Sequence, residues 1–89
     1  MTEHTRHADI VKRLKRAEGH LRSIVAMIET ERDCVDVAQQ LQAVENAVAN
    51  AKRVLVQDHI DHCLKEAVRD GVKSPEDTIR EFKAITKYL

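Results

Sequence analysis

With 89 residues the chain is too short to be divided into two parts that each bury a core, which excludes a multi-domain enzyme and leaves a single domain over 1–89. Charged residues make up 34%, split evenly into 15 Lys and Arg against 15 Asp and Glu, and aromatic residues only 2%, which argues against a reader of single strands that stacks bases on aromatic platforms. Gly19, Gly71 and Pro75 supply no glycine-rich phosphate loop and little turn chemistry for a sheet, so the composition points to an all-α fold of long helices.

The formal net charge of zero argues at first against a polyanionic partner. Position reverses this: from Ile10 to Arg22 the chain carries Lys12, Arg13, Lys15, Arg16 and Arg22, with His20 beside them, against the single acid Glu18. No run approaches the roughly 20 apolar residues that span a bilayer, and Met1-Thr2-Glu3-His4 lacks the apolar core of a signal peptide. A cytoplasmic protein without membrane contact is expected, with Cys34 and Cys63 reduced rather than bridged.

In chain order, Ile10, Leu14, Ala17, Leu21, Ile24 and Ile28 recur at steps of four and three, one apolar stripe on a first helix from about Asp9 to Glu29. Gly19 inside it costs roughly 1 kcal/mol relative to alanine, and a close helix crossing is the expected reason. Asp33 is a good N-cap for a second helix, with Asp36 in the first turn. From Cys34 to Asp70 there is neither Gly nor Pro, and Val37, Leu41, Val44, Val48, Ala51 and Leu55 keep the four-three spacing. This helix is about 37 residues and ~55 Å long. Asp70-Gly71 supplies its stop. Ser74-Pro75-Glu76-Asp77 reads as N-cap, Pro at the first helical position and two acids in the first turn, opening a third helix that runs to the C-terminus with Ile79, Phe82, Ile85 and Leu89 facing inward.

A ~55 Å rod exceeds a globule of this length, whose radius of gyration would be about 12 Å. The expected solution is a homodimer in which helix 2 packs antiparallel against its own copy, with Ala43, Ala47, Ala49 and Ala51 permitting close approach near the midpoint.

Cys34, His59 and Cys63 form the most informative constellation. His59 and Cys63, four apart, share one face of helix 2 and can chelate. Cys34 lies roughly 37 Å away along the same helix and cannot join them within one protomer. An antiparallel dimer would bring it to His59 and Cys63 of the second copy, giving two symmetric intersubunit sites. Two soft sulfurs and one nitrogen suit three-coordinate Cu(I) better than tetrahedral Zn(II). His62, about 100° round the helix from Cys63, is an outside candidate.

The runs Asp33-Cys34-Val35-Asp36-Val37, Gln40-Leu41-Gln42-Ala43-Val44 and Asp58-His59-Ile60-Asp61-His62-Cys63 resemble the CsoR/RcnR/FrmR family of small bacterial metal- and stress-responsive transcriptional repressors, and the Cys-His-Cys combination resembles its copper(I)-sensing branch. The resemblance implies an all-α dimer, usually assembled into a disc-shaped tetramer, that binds double-stranded operator DNA without metal and leaves it when Cu(I) binds, derepressing copper-export genes. It implies Cys34, His59 and Cys63 as copper ligands. Glu81 falls where copper-sensing relatives have a carboxylate hydrogen-bonded to the ligand histidine, a sensible partner because a ligand imidazole needs its other N–H oriented. Two positions depart from the pattern: Asp33, where copper sensors often have Tyr, and Asn50, where some relatives carry a basic DNA-contacting residue.

With that resemblance, Lys12, Arg13, Lys15 and Arg16, joined by Lys52 and Arg53 of helix 2, become the candidate DNA surface, meeting mostly phosphates. Alternatives stay open. A Ni(II) or Co(II) sensor would need extra nitrogen ligands, for which His4, His7 or the amino terminus could serve. A persulfide or thiol-stress sensor would use Cys34 and Cys63 as a reacting pair. A structural helical interaction module would need none of the three. Catalysis on a small-molecule substrate is not expected, since Ser23 and Ser74 have no triad partners in view.

Overall fold

Three helices and no strand make up the regular structure over residues 6–69 and 74–89, which the computed structural model describes: α1 (His7–Glu29), α2 (Cys34–Ala67) and α3 (Pro75–Thr86). The all-α fold class and the dominance of the second helix are as expected. Boundaries differ by a few residues. Helix α1 starts two residues before Asp9, and α2, at 34 residues, ends at Ala67 rather than Asp70. The expected stop at Asp70-Gly71 lies outside the described residues. Helix α3 ends at Thr86, after which the Tyr88 N–H bonds to the Ile85 carbonyl and the Leu89 N–H to the Thr86 carbonyl in tighter turns.

The chain divides into two compact units, one formed by Ala8–Lys52 and the other by Arg53–Leu89 with Arg6 and His7; α2 contributes its first half to one and its second half to the other. In the first unit α1 and α2 form a hairpin. The Arg32 N–H reaches back five residues to the Met27 carbonyl (2.9 Å) and the Glu31 N–H to that of Ile28 (3.1 Å), with Glu31 in the left-handed region at φ 57°. This is a Schellman ending built on a non-glycine residue. Asp33 then caps α2, its Oδ2 accepting the Val35 N–H at 3.2 Å.

The hairpin seam consists of Ile10, Ala17 and Ile24 on α1 and Val37, Val44 and Ala51 on α2, all buried and each set spaced by sevens. Ile24, Val37 and Val44 form its core, with Met27 packed against them, and across it the His20 Nε2 and Gln40 Oε1 atoms lie 2.6 Å apart. The other half of each expected stripe, Leu14, Leu21 and Ile28 on α1 and Leu41 and Val48 on α2, is exposed. Both sets lie on the apolar side of their helices, but a helix with one neighbour has one seam to fill. Ala51 is absorbed by that seam, whereas Ala43, Ala47 and Ala49 remain exposed. Gly19 also departs from expectation: a Cβ built on it meets nothing within 4 Å beyond its own helix backbone, so no close crossing among the described residues accounts for it.

In the second unit the C-terminal half of α2 buries Val56 and Cys63, and also the carboxylates of Asp58 and Glu66. Helix α3 opens as expected: Ser74, extended at ψ 155°, accepts the Asp77 N–H on its Oγ at 3.2 Å, and Pro75 takes the first helical position. The inward stripe assigned to α3 needs correction. Ile79, Phe82 and Leu89 are exposed and Ile85 is half-buried, because one helix has only α2 to lean on and the opposite flank of its apolar face stays open.

Candidate metal centre

Helix periodicity sets His59 and Cys63 one turn apart on α2, and α3, started by the Ser74 cap, carries Glu81 to them. One ligand atom from each of His59, Cys63 and Glu81 lies within 4.8 Å of the other two. Cys63 is only 2% exposed, while His59 and Glu81 are half-buried. The Cys63 thiol points at Glu81 Oε2, 3.9 Å away. The His59 and His62 rings meet edge to face at a centroid distance of 6.4 Å.

Such a cluster offers one sulfur, one imidazole nitrogen and one carboxylate oxygen from a single chain, a soft, a borderline and a hard donor. Burial of the thiol beside a carboxylate favours a bound cation, which would take the proton's place between them. Cys34 is not among these residues. It is the first residue of α2, exposed, and lies in an open apolar groove of about 590 Å³ with Ile28, Val37, Ala38 and Leu41, rimmed by Glu31 and Arg32. Cys63 edges a second apolar groove, of about 470 Å³, with Leu64, Ile79 and Phe82. Both thiols thus sit at apolar surfaces that a single chain leaves uncovered.

Around the cluster, sequence reasoning passed over several ion pairs. His7 Nε2 is 3.5 Å from Asp58 Oδ2, and an Arg6 guanidinium nitrogen is 3.2 Å from Asp61 Oδ2, so residues flanking the start of α1 pair with carboxylates beside His59. His62 Nε2 lies 3.8 Å from Glu66 Oε1, which Arg69 approaches at 3.6 Å; the other oxygen, Oε2, is buried without a hydrogen-bond partner among the described residues. The spacing of Asp58, His62 and Glu66 by fours places them on one helix side, but nothing in it separates these acids from exposed ones. Of the nitrogen donors considered for nickel or cobalt, His7 is thus engaged with a carboxylate, while His4 and the amino terminus lie outside the described residues; His62, the outside candidate for the Cys-His-Cys site, is also engaged with one.

The candidate DNA residues are all exposed: Lys12, Arg13, Lys15 and Arg16 on α1, Lys52 and Arg53 on α2. Arg13 is tied to Asp9 at 2.8 Å. Arg13, Arg16, His20 and Asn50 line an open notch of about 420 Å³ in the hairpin unit. No helix among the described residues is long and apolar enough to cross a membrane.

Residues 6–88 match the sequence model of a family described as metal-sensitive transcriptional repressors. The copper-sensing transcriptional repressor CsoR of Bacillus subtilis (strain 168) is 40% identical over 80 residues, covering 88% of this chain and 79% of that protein. The copper-sensing transcriptional repressor RicR of Mycobacterium tuberculosis is 37% identical over 78 residues, covering 88% and 81%. Among solved structures, the nickel-responsive transcriptional regulator InrS superposes with a TM-score of 0.80 at 31% identity, covering 92% of this chain and 91% of that one.

Proposed function

The chain belongs to the metal-sensitive transcriptional repressors, and from that premise we propose that its inducer is Cu(I), held between protomers by Cys34 of one copy and His59 and Cys63 of another. In this reading the metal-free form binds double-stranded operator DNA through Lys12, Arg13, Lys15, Arg16, Lys52 and Arg53, and metal binding releases it, derepressing copper-export genes. The observation that carries the reading is the buried Cys63 thiol gathered with His59 and Glu81, with a second thiol presented at the far end of the same helix. Two copper-sensing relatives support the choice of metal.

The exposed surfaces support a dimer. Leu14, Leu21, Leu41 and Val48 are apolar and exposed, as are the grooves at Cys34 and at Cys63. An antiparallel pairing of α2 with its copy covers these surfaces while bringing the two kinds of thiol together, and pairs of dimers can then build the disc-shaped tetramer. Cu(I) supplies a soft, low-coordinate cation. Cys34 and Cys63 provide its sulfurs, His59 its nitrogen, and Glu81 orients the site while drawing α3 toward it. Coupling of this kind is typically about 1 to 3 kcal/mol and reciprocal, so DNA lowers metal affinity by the factor by which metal lowers DNA affinity.

A nickel reading has its own support: the structural neighbour is nickel-responsive, and the Glu81 oxygen beside His59 is a harder donor than Cu(I) prefers. Anaerobic Cu(I) and Ni(II) titrations, followed by X-ray absorption and by DNA affinity, separate the two. The copper reading expects a three-coordinate site of two sulfurs and one nitrogen, and DNA release by Cu(I) alone. A site of higher coordination number that releases DNA only with Ni(II) would replace it.

A further inference from the structure

Gly19 stands in the middle of α1, where glycine weakens the helix relative to alanine, and among the described residues nothing compensates, because a Cβ at this position meets no atom within 4 Å beyond its chain neighbours and its own helix backbone. Its neighbours on the same face are Lys15 and Ser23 one turn away, Arg16 and Arg22 three residues away, and Lys12 two turns away. All five are exposed. Among the described residues, Lys12, Lys15, Arg16 and Arg22 enter no ion pair, in contrast to Arg13 with Asp9. Ser23 turns its hydroxyl back to the Gly19 carbonyl at 3.4 Å, a weak bond it can exchange for another acceptor.

A glycine that costs helix stability and meets no internal neighbour is the residue type that lets another body approach a backbone closely. Four unpaired cations around it select a polyanion. A second copy presenting the same face would be repelled, whereas a row of phosphates would neutralise it. We propose that Gly19 is the seat of the DNA sugar-phosphate backbone on α1, its missing side chain letting phosphates come within reach of Lys15, Arg16, Arg22 and the Ser23 hydroxyl together. This rests on the reading of the chain as a DNA-binding repressor whose α1 meets the duplex, and it adds a contact point defined by shape rather than charge.

The test uses the full-length, metal-free protein and a duplex selected by it from a random-sequence library. Gly19→Ala and Gly19→Leu keep every charge and improve helix propensity, so both should melt higher, by about 4 °C or more, with unchanged sedimentation and Cu(I) binding. DNA affinity should nevertheless fall, several-fold for alanine and by at least about tenfold for leucine, with a shallower dependence on salt as phosphate contacts are lost. A leucine variant that binds the duplex like wild type overturns the proposal. So does loss of binding accompanied by altered sedimentation, which would assign Gly19 to a contact between protomers. Failure to select any duplex, or Arg16→Ala binding as wild type, would instead overturn the underlying DNA-surface reading.

Discussion

Glu81 is the residue whose position says most about the centre. Its oxygen lies beside a buried thiol and an imidazole, where in the proposed site it would orient a metal ligand. Glu81→Gln preserves shape and removes the charge; metal affinity in a chelator competition should fall by about 10- to 100-fold, the usual cost of losing such a partner. No change in that competition would reduce Glu81 to a bystander. The pairing of His59 with Cys63 was legible from their spacing alone. The place of Glu81 beside them was accessible only through family resemblance, because nothing local in Glu76-Asp77-Thr78-Ile79-Arg80-Glu81 marks one acid of α3 above the others. Buried Asp58 and Glu66 were not legible either: the same residue types on exposed helix faces, such as Glu45 and Asp61, read identically in sequence.

At the scale of elements, the helix ends were the most readable part. Asp33 before Cys34 and Ser74 before Pro75 do cap α2 and α3, by side-chain bonds of 3.2 Å each. Asp33→Ala should cost about 1 kcal/mol of stability, seen as a lowered denaturation midpoint. The turn before it was less readable, since a left-handed ending normally announces itself with glycine and here uses Glu31. A non-glycine residue held there carries about 1 kcal/mol of strain. Glu31→Gly should therefore raise the melting temperature despite the greater freedom it gives the unfolded chain, and a drop would mean the Glu31 side chain makes a stabilising contact. The apolar stripes of α1 and α2 were found correctly, but which of their residues the hairpin itself buries was not, and the stripe of α3 was placed inward where Ile79 and Phe82 are exposed. Periodicity identifies the apolar side of a helix and cannot say how much of it one neighbour covers; Ile24 and Val37 are inside, Leu21 and Leu41 outside.

For the molecule as a whole, that division is the support for the proposed association. The hairpin core is little more than Ile24, Val37, Val44 and Met27, and it is flanked by exposed leucines and valines at the same heptad spacing. Leu21→Asp and Leu41→Asp should leave helical content in place and shift sedimentation toward the monomer, with loss of DNA binding; an unchanged oligomer would show that the contact uses another face. Assembly also decides whether Cys34 can serve the centre at all, because α2 carries Cys34 as its first residue and His59 and Cys63 in its last turns. The proposed copper site is shared between protomers, and mixing subunits separates a shared site from one held within a single chain. Cys34→Ala and Cys63→Ala protein should each fail to release DNA on anaerobic Cu(I) addition. Co-refolded mixed dimers recover one complete site, from the Cys34 of one protomer and the Cys63 of the other, and should regain Cu(I)-dependent release with one Cu(I) per mixed dimer. Mixed dimers as silent as both parents, or a response from either variant alone, would contradict the shared site.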